Sequence, residues 1–447
     1  MKSAIKSVAA ITLGCKLNYA ETSSIVDNLC NNGWSVSAFD DAPDLIIIHT
    51  CAVTNQAEQK CRQRIRKIIR ENPSSRIAVA GCYAQLNSKA LEGIEGIDVI
   101  LGNEEKFDLQ IYENLFDSPA GQRVVRVTPA SGFEKVHQGY SLRSEEGRGR
   151  TRAFLKIQDG CDYGCAYCTI PAARGRSRSI ASALVIGRAE ELASAGYREI
   201  VLTGVNSGDY RYDGVMFKDL LRMLEKVAVS RIRISSVEPD FLDDQLISLV
   251  GASEKIVPHF HVPLQSGSDA ILKAMRRRYD TAGYRERVLK ALELVPDCAI
   301  GADVMVGYPG ETETEFNDML RFIETLPIAY LHVFSCSVRP GTDLAMEVRN
   351  RERALLDPGE ISRRQKALGE LGKKKEEAFN ARYLGSEGDV LFEESRKAGA
   401  GRFLCTGYTR NYLRVSVESE TDLSGKELRV AIERPGEDLI LGGRLLS

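Results

Sequence analysis

The sequence predicts a three-part α/β protein: a parallel α/β domain, a central partial (β/α)6 TIM barrel and a small OB-like β-barrel at the end. Strand-like apolar runs alternate with helix-length segments over the first ~115 residues, and six further βα units follow residue 150. Beyond residue 388 only short alternating strands with Gly and Asn turns occur. At 447 residues the chain exceeds one ordinary core. The limits drawn from these patterns are 1–118, a linker over 119–147, 148–378 and 379–447.

In the first domain, residues 7–13, 44–49 and 76–80 read as buried strands, and each precedes a cysteine: Cys15, Cys51 and Cys82. Open parallel sheets bind ligands just beyond their strands' carboxyl ends. Three cysteines more than thirty residues apart can therefore meet there. The alternative is that each is a small buried residue. His49 stands two residues before Cys51. Cys61 shares a helical face with Ile65, Ile68 and Ile69, opposite Lys60, Arg62, Arg64, Arg66, Lys67 and Arg70. That basic face suits solvent or RNA phosphates equally. Cys30, Cys298, Cys336 and Cys405 have no ligand spacing and are assigned to packing.

Polar residues between 131 and 150 read as linker. The next strands are expected at 153–158, 199–205, 231–237, 259–264, 299–306 and 330–335, with function in the loops after them. The first such loop carries Cys161-Asp-Tyr-Gly-Cys165-Ala-Tyr-Cys168. Three thiolates are one short of a closed zinc or iron–sulfur site. Either a fourth ligand comes from elsewhere, or one iron stays open to a substrate. A charged helical stretch over 361–382 leads to strands at 388–392, 402–407, 412–417, 426–432 and 439–441. Arg402, Tyr408, Arg410, Tyr412 and Arg414 interleave guanidinium groups with rings, a mixture suited to unpaired bases.

Composition excludes several classes. With 60 basic and 62 acidic residues no global field announces nucleic acid. Eleven cysteines without an even framework point to a reducing, cytoplasmic setting and metal chemistry rather than disulfides. No apolar run approaches a membrane span, so no membrane partner is expected. The start, up to Cys15, imitates a lipoprotein signal, but its apolar run is short and Thr12 replaces a large aliphatic residue; a signal is not expected.

Together the motifs resemble the methylthiotransferases, radical S-adenosylmethionine (SAM) enzymes with an N-terminal cluster domain and a C-terminal TRAM domain. The resemblance rests on the segments from Leu13 to Thr22, Thr50 to Thr54 and Gly81 to Gln85, then Gln158 to Pro171, Arg174 to Arg178 and Pro263 to Asp269. It implies two three-cysteine [4Fe-4S] clusters. Cys161, Cys165 and Cys168 would hold the one that cleaves SAM to a 5′-deoxyadenosyl radical. Cys15, Cys51 and Cys82 would hold the one that carries the transferred sulfur. Gly204, Asn206, Glu238, Gln265, Ser266, Gly307 and Pro309 on the barrel rim are the expected SAM contacts, and no protein acid or base is expected to carry catalysis. Leu17 to Thr22 and Thr203 to Tyr210 look like the MtaB type. That type methylthiolates N6-threonylcarbamoyladenosine at tRNA position 37. The types acting on isopentenyl-adenosine or on a ribosomal-protein aspartate, and a non-catalytic RNA-binding metalloprotein, are the alternatives. The expected partners are the anticodon loop of tRNA, an electron donor and a sulfur source. RNA contacts are assigned to Arg174, Arg176 and Arg178, within a stretch of net charge +4 over 143–178, and to Arg402, Arg410, Tyr412 and Arg414.

Overall fold

A computed structural model describes residues 5–117, 122–141, 151–399 and 401–446. The first domain is an all-parallel sheet. Its main strands are β1 (Ser7–Thr12), β2 (Leu45–Thr50), β3 (Arg76–Gly81) and β4 (Val99–Leu101), flanked by Ser35–Val36 beside β1 and Val124–Arg126 beside β4. Helices α1 (Lys16–Asn31), α2 (Asn55–Glu71) and α3 (Cys82–Glu92) follow the first three strands. All of β2 is buried because both faces are covered. Ile46 and Ile48 face one apolar core with Ile65 and Ile68 of α2; Leu45 and Ile47 face another with Ile25 and Leu29 of α1. Cys61 packs in the first of these, as the helical spacing predicts.

The second domain is a six-stranded incomplete barrel. β5 (Arg152–Lys156), β6 (Glu199–Thr203) and β7 (Arg231–Ile234) pair in parallel, as do β8 (His259–His261), β9 (Ala299–Val306) and β10 (Tyr330–Ser335). A parallel bridge, Ser236 to His261, joins the two halves. The five-residue α4 (Ile170–Arg174) follows the cysteine loop, and α5 (Pro358–Ala381) packs against β10. Strands β11 (Glu387–Gly399), β12 (Arg402–Thr409), β13 (Arg414–Ser419), β14 (Glu427–Arg434) and β15 (Leu441–Leu445) close a barrel in the order β11-β12-β13-β15-β14.

Two seams differ from the sequence expectation. Part of the expected linker, residues 119–121 and 142–147, lies outside the described residues. Residues 139–141, however, run antiparallel along the outer edge of β5: Ser141 N–H donates to Phe154 O (3.0 Å) and Lys156 N–H to Gly139 O (2.8 Å), with Tyr140 buried. At the opposite end of the barrel, the last domain forms a floor. Arg231, fully buried, donates to Glu427 (2.7 Å), Tyr408 O (2.8 Å) and Asp389 O (2.7 Å). Arg152 pairs with Glu393, and Arg233 reaches Arg410 O.

Candidate active site

β1, β2 and β3 are neighbours in the sheet, so the loops leaving their carboxyl ends lie side by side. Cys15 caps α1, Cys51 follows β2 and Cys82 opens α3. Burial, reinforced by the neighbouring Cys82 thiol, pushes Cys51 up to about 12, while Cys15 is exposed on its loop. Gly81 sets this geometry: its φ is +100°, and a Cβ there would lie 2.3 Å from His49 Cδ2 and 2.7 Å from Thr50 O.

The second trio is gathered by backbone. Cys161 N–H donates to Gly175 O (3.1 Å) and Cys168 N–H to Cys165 O (3.1 Å). Each sulfur accepts one donor: Cys161 from Tyr163 N–H (3.3 Å), Cys168 from Ile170 N–H (3.4 Å) and Cys165 from Arg277 Nη1 (3.2 Å). Burial pushes Cys161 up to about 11 and Cys168 up to about 12; Cys165 also rises, with Arg277 opposing. Three cysteines on one short loop, each sulfur accepting one hydrogen bond, are a donor set that fits an iron–sulfur cluster with one open iron.

The expected SAM contacts divide. Asn206 is 3% exposed, yet neither side-chain amide atom has a partner, which is the mark of a polar group waiting for a ligand. Gln158 Oε1 accepts from the N–H groups of Val205 (3.0 Å) and Asn206 (2.9 Å) and fixes that loop, with Gly204 pressed on Gln158. Glu238 is held by Arg277. Gln265, at φ +64°, lines the cavity beside Cys168. Three others are engaged within the chain. Ser266 is fully buried and its Oγ accepts from Ser268 N–H, so it builds the turn. Gly307 faces Ile361 of α5, and Pro309 O accepts from Arg353 Nη1; both shape a loop against the outer helices.

A cavity of about 240 Å³ lies between Cys168 of the second trio and the residues that follow Cys51 of the first. Val53 and Thr54, just after Cys51, form one wall; Cys168, Thr169 and Ile170 form another; Gln265, Asp303, Met305 and Phe334 come from the barrel. His261 (2.9 Å) and His332 (3.2 Å) both contact Asp303 Oδ1. Burial pulls the Asp303 carboxyl up, but these hydrogen bonds win and hold it well below the usual carboxylate range. Sequence reading missed this cluster, and it missed Arg277, although the run Arg276-Arg277-Arg278 before Tyr279 was a visible signal.

The RNA calls are corrected most. Arg174 is 2% exposed and bound to Glu21 and Asp159, so it belongs to the domain interface. Arg178 donates to the carbonyls of Lys135, Arg176 and Arg174 and staples its own loop. Arg176 alone of the three is open, at 87% side-chain exposure beside Asp162. At the barrel floor Tyr412 stacks on Tyr408 (4.8 Å) and meets His259 at a tilt (4.6 Å), and Arg410 donates to Glu254 O there. Arg402 is exposed and paired with Glu418, while Arg414 lines a cleft with Tyr408 and Tyr412, its Nε without a partner. In these cases a charge or ring that looked free in sequence is engaged by another part of the chain.

A profile of the Uncharacterized protein family UPF0004 matches residues 7–102, and one of the Radical SAM superfamily matches residues 155–323. A threonylcarbamoyladenosine tRNA methylthiotransferase MtaB of Bacillus subtilis is 37% identical over 434 residues, spanning 96% of this chain and 94% of that protein. The protein of the same name in Aquifex aeolicus is 34% identical over 95% of this chain and 100% of its own length. A tRNA-2-methylthio-N(6)-dimethylallyladenosine synthase of Endomicrobium trichonymphae is 30% identical over 96% of this chain and 98% of that protein. Among solved structures, the radical SAM methyltransferase TsrM from Kitasatospora setae shares the fold, with a TM-score of 0.56 at 16% identity over 77% of this chain and 76% of that one.

Proposed function

Because the chain belongs to the MtaB-type radical SAM methylthiotransferases, we propose that it replaces the C2 hydrogen of N6-threonylcarbamoyladenosine in tRNA with a methylthio group. The observation that supports this reading best is the cavity lined by Cys168 and by Val53 and Thr54 just after Cys51, a place for one nucleotide beside both cysteine loops. When bound, two [4Fe-4S] clusters and SAM would supply radical formation and the sulfur.

The chain's own residues bind, orient and exclude water. Tyr163 N–H, Ile170 N–H and Arg277 hold the three core sulfurs in register. Asn206 and Glu238 are the candidates to orient SAM, Asn206 because its amide is unpartnered. The target base has to leave its stack, at low cost in an anticodon loop. Phe334 and Val53, both exposed at the cavity wall, offer faces for stacking that base. Arg176, exposed beside the core cysteine loop, can meet a phosphate or the threonyl carboxylate. An electron donor, a sulfur source and a cytoplasmic setting complete the reading; among the described residues no helix is long and apolar enough to cross a membrane.

Nucleoside mass spectrometry of tRNA from cells lacking the gene tests it. The methylthio-threonylcarbamoyl nucleoside should vanish and its unmethylthiolated precursor accumulate. Loss of the dimethylallyl derivative instead would favour the activity named for the Endomicrobium relative.

A further inference from the structure

Five ionised side chains are buried together where the first domain meets the barrel. Glu21 of α1 receives Lys106 (2.6 Å), Lys156 of β5 (2.6 Å) and Arg174 of α4 (2.9 Å). Asp159 receives Lys156 (2.6 Å) and Arg174 (3.0 Å). Glu21 and Lys106 are fully buried, and Lys156, Arg174 and Asp159 are 1%, 2% and 7% exposed. Three cations face two carboxylates, an excess of one positive charge. His49, hydrogen-bonded to Thr22 Oγ1 (2.8 Å), touches Lys106 Nζ (3.3 Å) at the edge of this set.

Burying such a set costs several kcal/mol per ion, and replacing it with apolar residues is often neutral, so domain adhesion alone does not explain an unbalanced one. Its surroundings do. Two asparagines connect it to the cysteine loops. Asn103 accepts from Lys106 Nζ (2.7 Å) and points its amide at Cys82 Sγ (3.8 Å) and Ala173 O (2.7 Å). Asn18 accepts from Arg174 (2.5 Å) and donates to Thr50 O (3.3 Å), the carbonyl next to Cys51. The excess charge is therefore one asparagine away from Cys82 Sγ and from the carbonyl before Cys51, while the core sulfurs receive a separate cation, Arg277.

We propose that the buried Glu21–Lys106–Lys156–Arg174–Asp159 network compensates the negative charge of a cluster held by Cys15, Cys51 and Cys82, raising its reduction potential independently of the core cluster. Cluster potentials follow local net charge and hydrogen bonds to sulfur, and a fixed positive charge in a dry interface favours the more negative, reduced form. Lys106, Glu21 and Arg174 are on this account positioning and charge-setting residues. The inference rests on the reading that the first trio holds an iron–sulfur cluster.

The test is an EPR-monitored redox titration of the full reconstituted protein, with the core centre, recognised by its response to added SAM, as internal reference. Lys106→Gln removes the excess charge and should lower the reduction equilibrium constant of the first centre about tenfold, or 59 mV for one electron. Glu21→Gln enlarges the excess and should move it the opposite way; Lys106→Arg should restore the parent value. The core centre should stay fixed throughout. Shifts of the same sign in the Lys106→Gln and Glu21→Gln variants, no shift in either, or equal loss of first-domain iron from both would overturn the proposal and leave the network a domain tie. Absence of the first centre from the unsubstituted protein would instead defeat the cluster reading on which it rests.

Discussion

Replacing Gly160 with alanine should empty the core iron site without touching the first one. Gly160 precedes Cys161 at φ +71°, and an added Cβ would lie 2.0 Å from Arg176 O, 2.6 Å from Arg176 C and 2.7 Å from Gly175 O. Real Cβ atoms do not approach under 3.0 Å, and the obstacle is backbone that no rotamer change relieves. The left-handed conformation costs an L side chain about 1–2 kcal/mol. Overpacking adds about 1–3 kcal/mol, for a total of roughly 2–5 kcal/mol. Relief has to move the segment that carries Gly175 O, the acceptor for Cys161 N–H. The sulfur then leaves its place, and about half of the iron should be lost together with SAM cleavage. Gly81→Ala is the mirror experiment, losing the other half through its clash with His49 and Thr50. Gly164→Ala is the control: it lies in the same cysteine loop with nothing within 4 Å of its added Cβ and should bind iron normally. Iron and sulfide assays with a urea melt read all three; a Gly160→Ala protein with full iron and an unchanged midpoint would refute the reasoning.

Two further outcomes are expected. His259 is buried beside Arg233, and burial first, then that charge, holds its pKa well below 6.5. A folded-state pKa below the unfolded one means that the unfolded chain protonates first. Its contribution is therefore complete above about pH 6.5 and is lost as pH falls below it, by up to about 1.36 kcal/mol per pH unit. His259→Gln should flatten the acid limb of urea midpoints measured between neutral pH and about pH 5; an unchanged slope would mean the ring protonates freely in the fold. Deleting the chain after residue 382 should destabilise the barrel itself, because the buried Arg231 guanidinium loses its bonds to Glu427, Tyr408 O and Asp389 O, and Arg152 loses Glu393. A truncated protein that melts like the full chain would make the floor dispensable.

Much of the fold was legible because its signals are local. The limits of β9 and β10 coincide with the apolar runs at 299–306 and 330–335, and those of β1, β2 and β3 lie within a residue or so of the expected ones. The three cysteines of the first domain were placed by a topological rule, since neighbouring parallel strands bring their carboxyl ends together whatever their distance in sequence. Arg174 was not legible: its partner Glu21 lies 153 residues away, and nothing local distinguishes a guanidinium bound for an interface from one bound for solvent. The same holds for Tyr412 and Arg410, whose alternation suited RNA but is used against the barrel floor. His261, Asp303 and His332 stand on three different strands and meet only because those strands are adjacent.

The two margins of the barrel are finished differently. Along β5 the chain's own residues 139–141 bind the edge, as a spine binds pages. Along β10 the side chains of His332, Phe334 and Ser335 are left exposed. A sheet bound on one side and open on the other can be approached from the flank. A long polymer need not be threaded through a ring, nor its neighbouring units stripped away: it can lie across the open margin and turn a single unit inward. The two absent strands leave that flank, about 20 Å long over the six residues of β10 and closed at its carboxyl end where Asn55 and Glu58 of α2 hold Ser337 and Arg339.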